Sequence, residues 1–485
     1  MTPAPPTPTP SEGSIRTPDL SNFREHLSTA DIRGRRQWVY AKKPSGAWYR
    51  RRTWLSWFLL VIMFAGPFVR INGNPLLMMN VIERRFSILG QIFWPQDAII
   101  FAVAMLLFLT GIIFFTTSFG RLWCGWTCPQ TVMMEMVFRK IEYRIEGDAV
   151  EQRQLSTMPW TARKLFKRAL KLGVFFALSF IVGNTLLAYI IGSDALRVIV
   201  TDDPRRHLAG LFFMMLFTLV FFAIFARFRE QACTFICPYG RLQSTLLDEN
   251  TMVVAYDHRR GEKRGKLRGH LPRLQRASAG LGDCIDCLQC VAVCPTGIDI
   301  RDGLQMECVH CTACIDACDS VMEHIGAPRG LIRYASFNSI EKREPFRFTA
   351  RMKAYSLVLA ALIALFLTLV LTRPAVEAVV LRVPGALFEQ TPDGRIENLY
   401  TLRLVNKTSR DLPIELKLEQ PAGSLSVMGA TNLNVPAAKL TETSVLIELE
   451  PSVLTGAATK IRIGVYSGGK LLHHINTGFI GPRSH

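Results

Sequence analysis

Twelve cysteines carry the chemistry of this chain, and all fall in four short clusters. The longest stretch reads C-I-D-C-L-Q-C-V-A-V-C-P from Cys284, then C-V-H-C-T-A-C-I-D-A-C-D from Cys308. Both runs have the spacing C-x2-C-x2-C-x3-C. Two such runs are the signature of two [4Fe–4S] clusters in which each fourth cysteine ligates the other cluster. The spacing therefore assigns Cys284, Cys287, Cys290 and Cys318 to one cluster, and Cys308, Cys311, Cys314 and Cys294 to the other. Three thiolates two residues apart can wrap one corner of a cube. The x3 step then carries the chain onto a short helix whose cysteine faces the neighbouring site. Structural zinc sites prefer C-x2-C pairs across a longer loop, so iron–sulfur is the better reading.

The surroundings add detail. Pro295 and Gly297 supply a turn away from the first run. Asp319 stands where a second proline is expected, and an acid beside a cluster tends to lower its potential. Ile298 and Ile300 flank Asp299, an alternation that predicts a short strand. His310 and His324 read as partly exposed histidines without a role rather than as ligands. The basic run from Arg259 to Arg276 reads as a solvated linker, with docking to a headgroup surface or an acidic electron donor as the alternative.

Two further pairs have the form C-x3-C-P: Cys124-Gly125-Trp126-Thr127-Cys128-Pro129 and Cys233-Thr234-Phe235-Ile236-Cys237-Pro238. Each follows a pair of apolar blocks, with an arginine (Arg121, Arg229) and a glutamine (Gln130, Gln231) nearby. This is a weak internal repeat and implies a pseudo-two-fold four-helix core that brings the pairs together. If each pair lies on a helix, cysteines at i and i+4 share a face. A disulfide-exchange site would favour C-x2-C, and clustered cysteine predicts a reducing compartment. A metal or redox role for Cys124, Cys128, Cys233 and Cys237 is the stronger reading. A further iron–sulfur cluster and copper(I), which soft thiolates select, both remain open. Met133, Met134 and Met136 could add thioethers, although packing is the simpler role.

These cysteines need a frame. Apolar residues make up 49% of 485 residues and gather into five blocks, at about 54–72, 98–119, 172–192, 208–226 and 354–372. Each is long enough to cross a hydrocarbon core of about 30 Å. No apolar stretch comes early enough for a cleavable signal peptide. Of the 57 Lys and Arg, 39 lie in 1–54, 121–171 and 227–353, on one side of the five blocks. The positive-inside rule makes that side cytoplasmic and places the C-terminus outside. The net charge of +18 is thus a topology signal, and nucleic-acid binding is not expected. His207, at the outer edge of the fourth block, reads as interfacial.

After the fifth block the character changes. Alternating runs Leu399–Val405, Leu412–Leu418, Val445–Leu449 and Ile461–Tyr466 are separated by turn-prone residues and predict an all-β sandwich of about 100 residues. Asn406-Lys407-Thr408 matches a glycosylation triplet by chance, and adjacent His473 and His474 would face opposite ways in a strand. An interaction or docking module is the modest inference.

The two ferredoxin runs, the two C-x3-C-P pairs after paired spans and the β-rich tail together resemble the bacterial cytochrome c oxidase accessory proteins, the CcoG/FixG/RdxA group of membrane polyferredoxins. The resemblance covers nearly the whole chain. It implies a multi-domain membrane protein with a basic cytoplasmic segment (1–53), a membrane core with the two pairs (54–253), a 2[4Fe–4S] ferredoxin domain (254–353), a fifth transmembrane helix (354–372) and a periplasmic immunoglobulin-like domain (373–485). It further implies residence in the bacterial inner membrane and a role in assembling cbb3-type cytochrome oxidase, through reduction of copper(II) to copper(I) for the haem–copper centre. Oxidase assembly components or copper carriers, an unidentified cytoplasmic electron donor, the lipid bilayer and a second copy of the chain are the expected partners. Electron exchange with quinone and a non-catalytic assembly scaffold are the rival readings.

Overall fold

The computed structural model describes residues 28–29, 33, 35–82, 84–266, 276, 278–383, 388–408, 410–429, 433–437, 439–456 and 458–482. Arg268 and Arg273 of the basic run lie outside the described residues. Among the described residues, four helices are long and apolar enough to cross a membrane: Ala98–Phe119, Ala162–Ile191, Pro204–Phe228 and Ala350–Leu371. The first apolar block differs from its expected bounds. Its helix covers Ala47–Ala65, starting seven residues earlier and carrying Arg50, Arg51 and Arg52 in its first turns. Gly66-Pro67 ends it, because proline removes a backbone donor and favours a turn, and the chain turns into the paired strands Arg70–Ile71 and Asn74–Pro75. Trp54, Trp57, Phe58 and Val61 leave an apolar face of this helix exposed.

The chain forms two compact units. The first takes Met1–Ile62, Phe108–Gly183 and Phe212–Ala360; the second takes Met63–Leu107, Asn184–Leu211 and Ala361–His485. The chain changes unit five times, each time inside a helix. All twelve cysteines belong to the first unit.

In the first unit, strands Val253–Tyr256 and Ile332–Ala335 pair antiparallel, Val253 opposite Ala335 and Tyr256 opposite Ile332. This ribbon brackets both ferredoxin runs and lets the segment close on its own core. Val254, Ile298, Ile300, Ile315, Met322 and Ile332 build that core around Cys284, Cys290, Cys308 and Cys318. The strand expected near Ile298 does not form. Asp299 accepts a hydrogen bond from the Arg301 backbone and starts a 3-10 turn over Ile300–Asp302 instead. Ile298 and Ile300 are both buried, so the alternation that predicted a strand reflects two inward residues around a cap.

A buried ion network ties the first unit together. Arg229 grips Glu142 with two hydrogen bonds of 2.9 and 2.6 Å. Lys171 bridges Glu142 at 3.2 Å and Glu146 at 2.8 Å. Arg36 reaches Glu230 at 3.1 Å. Beside it, Phe138 stacks on Phe225 at 4.4 Å and meets Phe175 edge-on at 4.8 Å. Thus helices on both sides of the internal repeat share one apolar and one ionic contact.

The second unit holds the sandwich. One sheet runs Ser424–Val427, Leu440–Leu449, Ile396–Asn406, Val376–Arg382; the other runs Leu433–Val435, Leu412–Gln420, Ala458–Ser467, Lys470–Ile480. Inward residues such as Tyr400, Leu402, Val445, Ile463 and Phe479 fill the space between them without a disulfide. The unit also contains the three-stranded antiparallel sheet Leu77–Asn80, Arg85–Ile88 and Gln91–Phe93 and the helix Ser193–Thr201. The glycosylation triplet is structural. The Asn406 amide donates to Arg410 O at 2.7 Å and Val435 O at 3.0 Å, while Lys407 pairs with Asp97 and Glu377, each at 2.7 Å. His474 faces Glu419 at 3.1 Å, and His207 faces Asp202 at 3.2 Å.

Candidate metal centres

The two ferredoxin runs fold alike. Asp286 and Leu288 in the first run and His310 and Thr312 in the second occupy matching positions, and all four have positive φ, between 53° and 65°. None is glycine, so each turn is strained by about 1 kcal/mol or more. Holding the same strained turn twice fits a chain wrapped around the same object twice. Helices begin after each turn, Gln289–Ala292 and Ala313–His324.

The cysteines are free thiols, and Cys287 alone is exposed. Burial, followed by the nearby Cys290, Cys284 and Cys287, pushes the Cys318 thiol up to about 12. Cys318 therefore stands with the first run and not with its own. Conversely, Cys294 of the first run lines one cavity with Cys308, Cys311 and Cys314. Among the described residues, no three His, Cys, Asp or Glu side chains converge tightly enough to hold a single metal ion. Cys290 reaches the same cavity, so it is lined by five thiols, but Cys294 also stands near enough to Cys308 and Cys311 to act on both. Thiols set apart in this way, with repeated strained turns, suit a cubane that spaces its ligands. Burial also raises Cys290 and Cys308 to about 12, so these thiols ionise at neutral pH only when a metal replaces the proton.

The two C-x3-C-P pairs are likewise alike in backbone. Gly120 lies four residues before Cys124 with φ 57°, and Arg229 lies four before Cys233 with φ 52°. Cys128 and Cys237 each precede a helix that opens on proline, Pro129–Val132 and Pro238–Leu246, where the missing N–H costs nothing. Hence Cys124 and Cys128 do not share one helix face as expected. Cys124 sits on the short helix Leu122–Trp126, and the chain breaks before Cys128.

The repeat nevertheless brings the four thiols together. After burial, Cys128, Cys124 and Cys237 are the near groups that push Cys233 up to about 12. Cys124, raised to about 11 mainly by burial, feels Cys128 and Cys237 and lies 3.4 Å from Gln243 Oε1. The Gln130 amide nitrogen is buried without a hydrogen-bond partner among the described residues. Met133, Met134 and Met136 are buried packing residues, with Met134 also lining a cavity beside Cys233.

These two sites adjoin. Cys124 packs against a cluster of Val293, Val309, Cys311 and Ala313. Arg121, buried, donates to the carbonyls of Met306 in the ferredoxin segment and Gly240 after the second pair. The Arg121 backbone donates to His310 Nδ1 at 3.1 Å. His310 is 1% exposed, which corrects the expectation of a partly exposed residue; its signal was only its place between Cys308 and Cys311. His324, at the end of its helix, is exposed as expected.

Gly125 marks the closest approach. A Cβ there would lie 2.4 Å from Val309 O and 2.7 Å from His310 O, both backbone atoms that cannot swing aside. Gly125→Ala is expected to force the two sites apart and to cost about 1–3 kcal/mol, read as a fall in thermal unfolding temperature in detergent. Gly173→Ala, where nothing lies within 4 Å, serves as the control and should show no fall.

Comparison with known proteins places this geometry. A family model for a 4Fe-4S dicluster domain matches residues 228–337, and one for a 4Fe-4S binding domain matches 101–146. The first contains Cys233 and Cys237 with the ferredoxin runs; the second contains Cys124 and Cys128. A model for the IG-like fold at the C-terminal of FixG matches 366–482. Protein RdxA of Cereibacter sphaeroides is 36% identical over 89% of this chain and 94% of its own length. Protein RdxB of the same organism is 34% identical over 92% and 97%. Nitrogen fixation protein FixG of Rhizobium meliloti is 32% identical over 84% of each. With iron–sulfur binding segments, membrane-length helices and an immunoglobulin-like domain in one chain, this protein belongs to the FixG/RdxA family of membrane iron–sulfur electron-transfer proteins.

Proposed function

We propose that this protein reduces copper(II) to copper(I) at its four membrane-proximal cysteines, in support of cbb3-type cytochrome oxidase assembly. The observation that carries the reading is the packing of Cys124 against the buried cluster that contains Cys311. In it, the second group of thiols, of the soft-donor type that copper(I) takes, adjoins the cysteines of a candidate cluster. Cys284, Cys287, Cys290 and Cys318 would hold one [4Fe–4S] cluster, and Cys294, Cys308, Cys311 and Cys314 the other. Such clusters supply one-electron transfer, which matches the one electron that copper(II) needs.

The residues order the sites. Cys287 is the exposed cysteine of the ferredoxin segment, so the first set faces a soluble donor. The second set is enclosed and adjoins Cys124. The cavity beside Cys233 offers carboxylates (Glu135, Glu230, Glu307) and thioethers (Met134, Met306). Oxygen donors suit copper(II), while thioether and thiolate suit copper(I). Gln130 and Gln243 wall the thiol site with polar groups that can orient those ligands. The same four cysteines could instead carry a third iron–sulfur cluster, and metal analysis separates the cases.

The topology that goes with this function has five spans, with Ala47–Ala65 as the first. The clusters are then cytoplasmic and the sandwich periplasmic. It is supported by five helical passages between the units, by confinement of every cysteine to one unit, and by the Lys/Arg excess on that side. Oxidase assembly components or copper carriers would be the partners.

Anaerobically purified protein is expected to contain iron and labile sulfide and, once reduced, to convert copper(II) to copper(I) trapped by a specific chelator. Combined Cys124→Ser and Cys237→Ser substitution should remove copper binding and slow reduction at least tenfold while retaining the iron of the ferredoxin runs. Unchanged copper binding and turnover would sink the assignment.

A further inference from the structure

Two buried guanidiniums at the junction of the sites have no carboxylate partner among the described residues, unlike Arg229, Lys171 and Arg301 of the same unit. Arg52 is 2% exposed. Its Nε donates to Gly125 O at 2.6 Å, and its Nη2 has no partner. Arg121 is spent on the carbonyls of Met306 and Gly240. Among the described residues, neither has a carboxylate within ion-pair distance. By contrast, Arg229 and Lys171 share Glu142, and Arg301 sits between Asp299 and Asp286 at 2.6 Å from each. The nearby buried acids are turned to backbone amides: Asp316 accepts from Trp48 N and Tyr49 N, and Glu307 from Ser28 N.

A buried cation without an anion is costly and is rarely kept. Here the anion is at hand. Four thiolates around a [4Fe–4S] core leave the assembly net negative in either oxidation state. Arg52 acts on Cys311 and Arg121 on Cys308, both opposing the larger effect of burial, with Glu135 acting the other way on Cys311 more weakly than Arg52. Around the other set the balance differs. After burial, Asp299 acts on Cys290 and, more weakly, Asp319 on Cys318, while Arg301 is neutralised by its two aspartates. Arg276, also buried, lies on that side and donates to the carbonyls of Gly265, Gly282 and Cys284.

His310 adds a neutral donor on the Arg121 side. Because Nδ1 accepts from the Arg121 backbone, the ring proton sits on Nε2. That atom is buried without a partner, and His310 lines the cavity with Cys290, Cys294, Cys308, Cys311 and Cys314.

We propose that Arg52 and Arg121 are the counter-charges of the cluster held by Cys294, Cys308, Cys311 and Cys314, and that they raise its reduction potential above that of the other cluster. Positive charge favours the added electron. One electron leaves the Cys287-side cluster and enters the Cys311-side cluster, so one is oxidised and one reduced, and no bond or proton changes place. The initial reductant is a one-electron donor, dithionite in the test. The proposal rests on the two-cluster reading above.

The test is an EPR-monitored redox titration of the full chain in detergent, after iron and sulfide content has been measured. Absence of iron from the eight cysteines of the ferredoxin runs would overturn the two-cluster reading itself. With both clusters present, the signal lost in Cys311→Ser should titrate at the higher potential in the wild type. Arg52→Gln should lower that potential by at least a tenfold bias, about 59 mV for one electron, and leave the signal lost in Cys318→Ser unmoved. Arg52→Lys should retain most of the wild-type value. Asp319→Asn, away from the junction, should raise the other potential and narrow the gap, which keeps the test alive if Arg52→Gln loads poorly. A reversed order of potentials, an Arg52→Gln shift of neither or both signals, or an unchanged gap in Asp319→Asn would overturn the proposal.

Discussion

Cys318→Ser protein, purified without oxygen, is expected to lose about four irons of its wild-type complement and one of two reduced-cluster EPR signals. The lost signal should be the one that Cys287→Ser also removes, although residues 287 and 318 belong to different runs. A serine hydroxyl is a harder ligand than a thiolate and ionises far less readily, so it seldom holds iron in a cubane. The expectation follows from the position of Cys318 beside Cys284, Cys287 and Cys290 and of Cys294 near Cys308 and Cys311. Cys294→Ser and Cys311→Ser should together define the second signal. If Cys318→Ser and Cys311→Ser abolish the same signal, each run holds its own cluster and the crossed arrangement is wrong.

The expected division of the cysteines is read from spacing alone, because the x2-x2-x3 step suggests which thiols can share a cube. The turns that hold them were not legible. Asp286, Leu288, His310 and Thr312 adopt positive φ with ordinary side chains, so no glycine announced them. The helical hairpins were legible from length and apolar content. The first was misplaced because Arg50–Arg52 looked like a flank, whereas Arg52 is buried inside the helix.

The sandwich shows a similar division. Its central strands announced themselves by alternation, but Val376–Arg382 and Lys470–Ile480 were missed. Lys470–Ile480 carries His473, His474, Asn476 and Thr477, and its inward residues are too few to show a period of two. The junction was the least legible part. Gly125 and Arg52 are separated by 73 residues and meet only through the fold. An unpaired buried arginine cannot be told from a surface arginine by its letter. What the sequence does show is the repeat, and the repeat explains the site. Gly120 and Arg229 make equivalent turns before equivalent Cys-x3-Cys-Pro units, which is why two distant pairs arrive at one place.

The same repeat depends on the ion network between its halves, and Glu142→Gln is expected to cost about 3–5 kcal/mol of stability. Removing one member of a buried ion pair leaves the other charged and unpaired. Here the stranded survivor is Arg229, 2% exposed, while Lys171, 4% exposed, keeps Glu146 at 2.8 Å. The loss would be a large fraction of the roughly 5–15 kcal/mol typical of a folded domain. Thermal unfolding in detergent, followed by tryptophan fluorescence, measures it. Replacing both partners, Glu142→Leu with Arg229→Met, should cost much less than either change alone, because the apolar pair leaves no charge stranded. A double variant as unstable as the sum of the singles would show that packing, not charge, dominates here. Acid supplies a second check. Burial alone would raise the Glu142 pKa, yet Arg229, then Lys171 and Arg139, outweigh it and hold the carboxyl at about 2, below its ordinary 4.5. A depressed carboxylate stabilises the fold fully above its unfolded pKa and loses that contribution as pH falls through the folded one. The stability difference between wild type and Glu142→Gln should therefore be level from pH 7 to about 5 and should shrink below about 4.5. Acid loss of clusters is common to both proteins and cancels in that difference. A difference that instead grows on acidification would mean that Glu142 is protonated in the folded protein at neutral pH.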